Sequence, residues 1–278
     1  MARPPDDLDF STDVVASWFE RESDTPYSLV RVPDESAAEW TEALGVTVRR
    51  CYVSDTLLVA RAKELGRPAS EILAARLPDP GSTMSGDFGE ILVYLFLACE
   101  AGPLVAVGPK KWRLKQDRTK PAPGSDVIHF VLPDWPLAGA NDRLLCAEVK
   151  AKATRGVSKP IAAAIRDSEK DRTSRLARTL IWLRERALFE DLGDVDLEEL
   201  DRFIEADKHP AFEKEYKAIA VVCTSLLEDE LMDAPAEEPA SYSVVVIAVP
   251  DLKAAYTRVY EVARTTTPSN REDEELSQ

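Results

Sequence analysis

Two short runs, at residues 218–223 and 244–249, consist of Val, Ile and Ala with a single Cys and no charged side chain. A strand with one wet face alternates polar and apolar residues, whereas a strand covered on both faces does not. These runs therefore call for a sheet enclosed between helices. Residues 87–100 supply one such helix, because Phe88, Ile91, Leu92, Val93, Leu95, Phe96 and Leu97 leave it apolar on nearly all sides. Residues 159–189 predict a long helix or a pair, with Ile161, Ile165, Leu176, Leu180 and Leu183 as the inner stripe. Further strands are expected at 104–107, 126–132 and 144–150, the last two joined by a connection at 134–143 that contains Pro, Gly and Asn. Strands that alternate with helices in this way define an α/β fold.

The first eighty residues read as a mixed α+β extension. A helix is expected at 14–21, strands at 27–32 and 46–53, and helices at 55–65 and 71–77 with Ser54 and Ser70 as N-caps. Pro78, Pro80 and Gly81 then interrupt the chain. The expected organisation is an extension over 1–80, a main α/β domain over 81–265, and an acidic disordered tail over 266–278.

Charge is unevenly distributed. The net charge is −15, yet residues 109–178 hold 16 Lys and Arg against 8 Asp and Glu, while residues 190–215 hold 11 acidic against 3 basic residues. Such asymmetry separates an anion-binding face from a partner-binding or solvating one. The longest apolar stretch, 91–99, is too short to span a bilayer, and no basic-then-apolar leader opens the chain. The four cysteines are far apart, and three lie in apolar segments, so they read as buried thiols. A cytoplasmic location without membrane association is the expectation.

Four dispersed charged residues carry the chemistry. Glu90 opens an apolar helix, Asp126 opens a strand, and Glu148 and Lys150 end another apolar run. Residues two apart in a strand share a face, so Glu148 and Lys150 project together while Val149 points away. Two carboxylates at adjacent strand ends can hold Mg²⁺, a hard ion that keeps waters for a phosphate to displace. A lysine beside them can position an attacking water or stabilise charge on the phosphate. The set is coherent for phosphodiester hydrolysis. Its alternatives are a surface pair worth about 0–1 kcal/mol for Glu148 and Lys150, and a helix N-terminal acid for Glu90.

Around this set stand further candidates. Lys110, Lys111, Trp112, Arg113, Lys115, Arg118 and Lys120 put six cations around one tryptophan, which suits phosphate contacts with base stacking. A solvated loop with a half-buried Trp112 is the other reading. Arg166, Lys170, Arg172, Arg175 and Arg178 add cations, interleaved with Asp167, Glu169 and Asp171, and read equally well as helix salt bridges. His129, three residues from Asp126, faces the other way and reads as structural, with a general base as the alternative. No Gly-x-x-x-x-Gly-Lys loop occurs, which disfavours ATP hydrolysis by this chain.

Gly89-Glu90, Gly124-Ser125-Asp126 and Glu148-Val149-Lys150 together resemble the PD-(D/E)xK nuclease superfamily. More narrowly, Gly89-Glu90-Ile91-Leu92, Lys120 followed by Gly124, Asp126, Val127 and His129, and Ala147-Glu148 with Lys150 are similar to HamA, the nuclease-like subunits of Hachiman anti-phage systems, which work beside a helicase. The similarity covers residues 84–250 in element order, with its motifs between residues 89 and 152. It implies a PD-(D/E)xK restriction-endonuclease-like core, a mixed central sheet flanked by helices, with the N-terminal α+β extension added. It would make Asp126 and Glu148 metal ligands, Lys150 the catalytic lysine, and Glu90 an accessory acid that holds a metal water or orients Lys150. Ser125 stands where the superfamily nominally has Pro. The implied activity is a Mg²⁺- or Mn²⁺-dependent endonuclease acting on DNA in anti-phage defence, held in check by or working with a separately encoded helicase subunit. The alternative is a nuclease fold without turnover that serves as a nucleic-acid sensor or partner-binding scaffold. In a third reading, compatible with activity, the acidic 190–215 segment docks a basic partner or excludes DNA.

Overall fold

The apolar runs at 218–223 and 244–249 lie side by side as parallel strands within a seven-stranded mixed sheet. The computed structural model describes residue 8, residues 10–100 and residues 106–268. In chain order the elements are α1 (Thr12–Ala16), β1 (Glu20–Ser23), β2 (Ser28–Arg31), α2 (Asp34–Tyr52), α3 (Asp55–Leu65), α4 (Ala69–Arg76), α5 (Ser82–Glu100), β3 (Ala106–Val107), β4 (Val127–Val131), β5 (Arg143–Lys152), α6 (Pro160–Lys170), α7 (Leu176–Ala187), α8 (Leu197–Ile204), β6 (Glu213–Cys223), α9 (Leu227–Leu231), β7 (Ser243–Val249) and α10 (Leu252–Thr265). The sheet runs β1-β2-β7-β6-β5-β4-β3. Strands β2, β7, β6 and β5 are mutually parallel, and antiparallel pairs close each side.

Period-two geometry sends alternate residues of the central strands to two different helical layers. Ile219, Val221, Val245, Ile247 and Val249 pack with Phe88, Leu92 and Leu95 of α5 and with residues of α2 and α10. Ala218, Ala220, Val222, Val244, Val246 and Ala248 pack instead with Ile161 and Ala164 of α6. Farther along the sheet, Ile128, Phe130, Leu144 and Cys146 meet Leu176, Leu180 and Leu183 of α7 and Phe203 of α8.

Residues 1–80 contribute to this same sheet. Strand β2 pairs in parallel with β7, from Ser28 opposite Val245 to Arg31 opposite Ala248. The expected strand at 46–53 is instead the end of α2. Trp40, Leu44, Val48 and Cys51 are all buried at helical spacing, and that longer period overrides the local alternation. Gly45 lets α2 approach α10, since a Cβ there would sit 2.4 Å from Val262 Cγ1. Ser54 caps α3, accepting from the Leu57 N–H at 3.3 Å. Ser70 does not cap α4, which starts one residue earlier behind Pro68. The helix expected at 14–21 ends at Ala16, and α5 begins at Ser82, five residues ahead of its expected start. Of the strand expected at 104–107, Ala106–Val107 forms β3 and residues 104 and 105 lie outside the described residues, as do residues 269–278 of the expected acidic tail. Among the described residues no helix is long and apolar enough to cross a membrane.

Candidate active site

Strand β4 starts at Val127, which pairs with Ala147 of β5, so Asp126 enters the sheet beside Glu148. Its Oδ2 accepts a hydrogen bond from the Val149 N–H at 2.8 Å, which fixes the carboxylate against the neighbouring strand. Glu148 is only 1% exposed. Its Oε1 accepts from the Lys150 ammonium and its Oε2 from the Arg175 guanidinium. Burial first, and then the nearby Asp126 charge, push the Glu148 carboxyl up to about 7. Lys150 keeps 31% of its side chain exposed and lies 3.4 Å from Asp167 Oδ2. Burial works against its ammonium, but Asp126, Glu148 and Asp167 outweigh that and raise its pKa.

Glu90 reaches the same region from α5. Gly89 makes the approach possible, because a Cβ there would lie 3.0 Å from the Ala151 Cβ of β5. The buried Glu90 carboxylate accepts from Trp112 Nε1 at 3.2 Å and lies 3.4 Å from Lys111 Nζ. That ammonium donates to the Ser125 carbonyl at 2.8 Å and sits 3.9 Å from Asp126 Oδ1, so Lys111 bridges Glu90 to the strand carboxylates. Burial, with Asp126 and Asp87 adding to it, pushes Glu90 up to about 8 against the pull of Lys111. All four motif residues thus belong to one connected constellation.

The expected nucleic-acid stripe requires correction. Residues Lys111–Leu114 form a 3₁₀ turn whose side chains go inward. Lys110, Lys111, Trp112, Arg113 and Lys115 are all buried, Arg118 is half-buried and pairs with Asp79, and only Lys120 is exposed, where it pairs with Asp117 at 3.2 Å. Lys110 meets Asp194 at 2.5 Å, Arg113 meets Asp191 at 2.9 Å, and Lys115 meets Asp87 at 2.6 Å. Buried ammonium and guanidinium groups need such partners, and these carboxylates provide them. Asp191 and Asp194 belong to the acidic 190–215 segment, where Glu190, Asp196, Glu198, Asp207 and Glu213 stay exposed. Within that segment Arg202 is wholly buried and pairs with Asp142 at 2.6 Å.

His129 lies on the opposite sheet face from Asp126, against Tyr94, with ring centroids 4.3 Å apart. Neither ring nitrogen has a hydrogen-bond partner. Burial, helped by the Lys110 charge, pushes its pKa down to about 3. It is a neutral packing residue, not a base.

Sequence reasoning did not single out Arg175 and Asp171. They bound a π-helical turn, Asp171–Arg175, between α6 and α7, an irregularity frequent at functional sites. Arg175 grips Asp171 through Nε at 2.7 Å and Nη2 at 2.5 Å while also holding Glu148. Asp171 in turn accepts from Ser125 Oγ at 2.6 Å, and the Ser125 N–H donates to Thr179 Oγ1 at 3.0 Å. A proline at 125 would forfeit both bonds. In sequence these residues are indistinguishable from their neighbours, several of which do form the expected helix pairs, such as Lys170 with Asp167 at 3.0 Å.

Among the described residues no group of three or more His, Cys, Asp and Glu side chains converges as metal ligands. Asp126 and Glu148 nevertheless suit a hard divalent ion, since both offer carboxylate oxygens and Glu148 is destabilised as an anion by burial and then by Asp126. Mg²⁺ is commonly held by one or two carboxylates plus water and phosphate oxygens. An ion at Glu148 would compete with Lys150 and Arg175 for the same oxygens.

A search of curated proteins returns no match. The sequence does match the HamA family over residues 10–263, from the segment before α1 into α10, and the chain belongs to that family.

Proposed function

We propose that this HamA-family protein is a PD-(D/E)xK-type endonuclease, dependent on Mg²⁺ or Mn²⁺, that hydrolyses DNA in a Hachiman-type defence system alongside a separately encoded helicase subunit. The supporting observation is the constellation of Asp126, just before β4, with Glu148 and Lys150 of the adjacent β5, and with Glu90 tied to it through Lys111. Family membership supports the defence context. Asp126 and Glu148 would hold the ion, which when bound supplies Lewis-acid stabilisation of the phosphate oxygens and orients water. Lys150, the most exposed member, is the group available to position the water or the scissile phosphate. Arg175 neutralises Glu148 in the ion's absence.

The experiment is incubation of the protein, with its helicase partner, with plasmid and linear DNA in Mg²⁺ or Mn²⁺. Wild type is expected to cut, and Glu148→Ala or Lys150→Ala to lose about 100-fold or more. Equal cleavage by these variants would remove the assignment.

The Glu148 contacts favour keeping a second reading. Both oxygens are already taken by cations, which suits either a restrained enzyme or a nuclease fold without turnover that senses nucleic acid or scaffolds a partner. Absence of cleavage by wild type with its partner, combined with metal-independent DNA affinity unchanged in Glu148→Ala, selects the sensor.

A further inference from the structure

Next to Lys150 the surface opens into a groove of about 740 Å³, bounded by the start of α5, the end of β5 with the loop that follows it, and the start of α10. No carboxylate lines it, and Arg155 and Lys253 present cations to it; Lys150 and Lys152 also belong to its wall, but their ammoniums pair with Glu148 and Asp167 and with Glu230. In a chain with 50 acidic and 35 basic residues that lining is a local reversal of charge.

The cations have different tasks. Lys152 is buried, and its ammonium donates to the Gly156 carbonyl at 2.9 Å, to the Ser158 carbonyl at 2.6 Å and to Glu230 at 2.6 Å. It fixes the loop that carries Arg155 onto the groove edge. Arg155 and Lys253 are exposed, and neither has an acidic partner among the described residues. Gly86 adds a separate observation. It lies inside α5, where glycine costs roughly 0.5–1 kcal/mol relative to alanine, yet a Cβ there would meet nothing within 4 Å. Packing does not explain it, and its effect is a bare stretch of helix backbone on the groove wall.

We infer that this groove is the track for a nucleic-acid backbone, with Arg155 and Lys253 as phosphate contacts beside the end of β5, the strand that carries Glu148 and Lys150. The inference rests on the nuclease reading of the Asp126, Glu148 and Lys150 site, and it assigns the electrostatic footing to residues other than the buried 110–115 segment. Unpaired cations on a concave surface free of carboxylates attract phosphates through counterion release. Because both side chains are exposed, they can be altered without opening the core.

The test is fluorescence anisotropy of labelled single- and double-stranded oligonucleotides with the full chain, across a salt series. The variants are an Arg155→Glu/Lys253→Glu double, an Arg155→Lys/Lys253→Arg double, and a Lys63→Glu/Arg67→Glu double as a surface control with the same charge change. The groove reversal should weaken binding about tenfold or more and lower the log–log salt slope by about 2. The charge-conserving double and the control should bind like wild type. If wild type binds but the groove reversal binds equally well with the same slope, or the control loses as much, the groove assignment is overturned while the nuclease reading stands. Unchanged oligonucleotide affinity with loss of helicase binding overturns it in favour of a protein partner. If wild type neither binds nor cuts nucleic acid with its partner and metal present, both readings fall.

Discussion

Glu148 is nearly enclosed and is held by two cations, Lys150 and Arg175, with Arg175 anchored in turn on the buried Asp171. Removing one partner of such a network strands the others, which costs up to about 3–5 kcal/mol. Arg175→Met is therefore expected to lower the urea-unfolding free energy by an amount in that range, and a loss near zero would show that Glu148 has no need of the guanidinium. His129 gives a second residue-scale prediction, with a defined sign. Its folded pKa of about 3 lies below the ordinary 6.5. As the pH falls through that window the unfolded chain takes up a proton first, so acid favours unfolding. His129→Phe abolishes this and leaves no unpartnered ring nitrogen. Its stability relative to wild type should rise steadily as pH is lowered from 6.5 toward 4, and a pH-independent difference would contradict the buried neutral state.

Among the elements, the α5–β5 contact sets the distance between Glu90 and the strand carboxylates. A Cβ at Gly89 would already lie 3.0 Å from the Ala151 Cβ, so Gly89→Val overpacks the contact at a cost of about 1–3 kcal/mol and moves Glu90 outward. Thermal unfolding reads the first effect, and a larger loss of cleavage than of stability reads the second. Helix α8 is secured in two ways, by a capping box of Asp196 and Glu199 and by Arg202, whose guanidinium lies against Phe203 and Phe212 while binding Asp142. Arg202→Ala is expected to cost about 3–5 kcal/mol by leaving Asp142 buried without its cation. These cases show where sequence legibility stops. The strands at 218–223 and 244–249 were readable because burial on both faces removes polar residues altogether. The basic 110–115 segment was misleading, because charge does not say which side chains turn inward.

For the molecule as a whole, the described residues up to 80 and those after them share one sheet and one core. A fragment starting at residue 81 would lack β1 and β2, uncover the β7 edge, and expose the α10 face that packs on α2. Such an edge invites aggregation. The fragment should therefore be aggregated or lack a cooperative transition by size exclusion and circular dichroism, whereas a monodisperse, cooperatively melting fragment would mark residue 81 as a true domain start.

The sequence by itself determined the α/β class, the doubly covered central strands and the shared face of Glu148 and Lys150, because each follows from short-range periodicity that burial imposes directly. It also located Glu90 on the helix that precedes them. Tertiary structure decided what each charge faces. Arg175 reaches Glu148 across 27 positions of sequence, Lys111 and its neighbours turn into the core, and Arg155 and Lys253 come from distant elements to one groove. A charged side chain is soluble when exposed and tolerable when paired inside, so its identity leaves both outcomes open. Only the packing of α5, α7 and α10 on the sheet chooses between them.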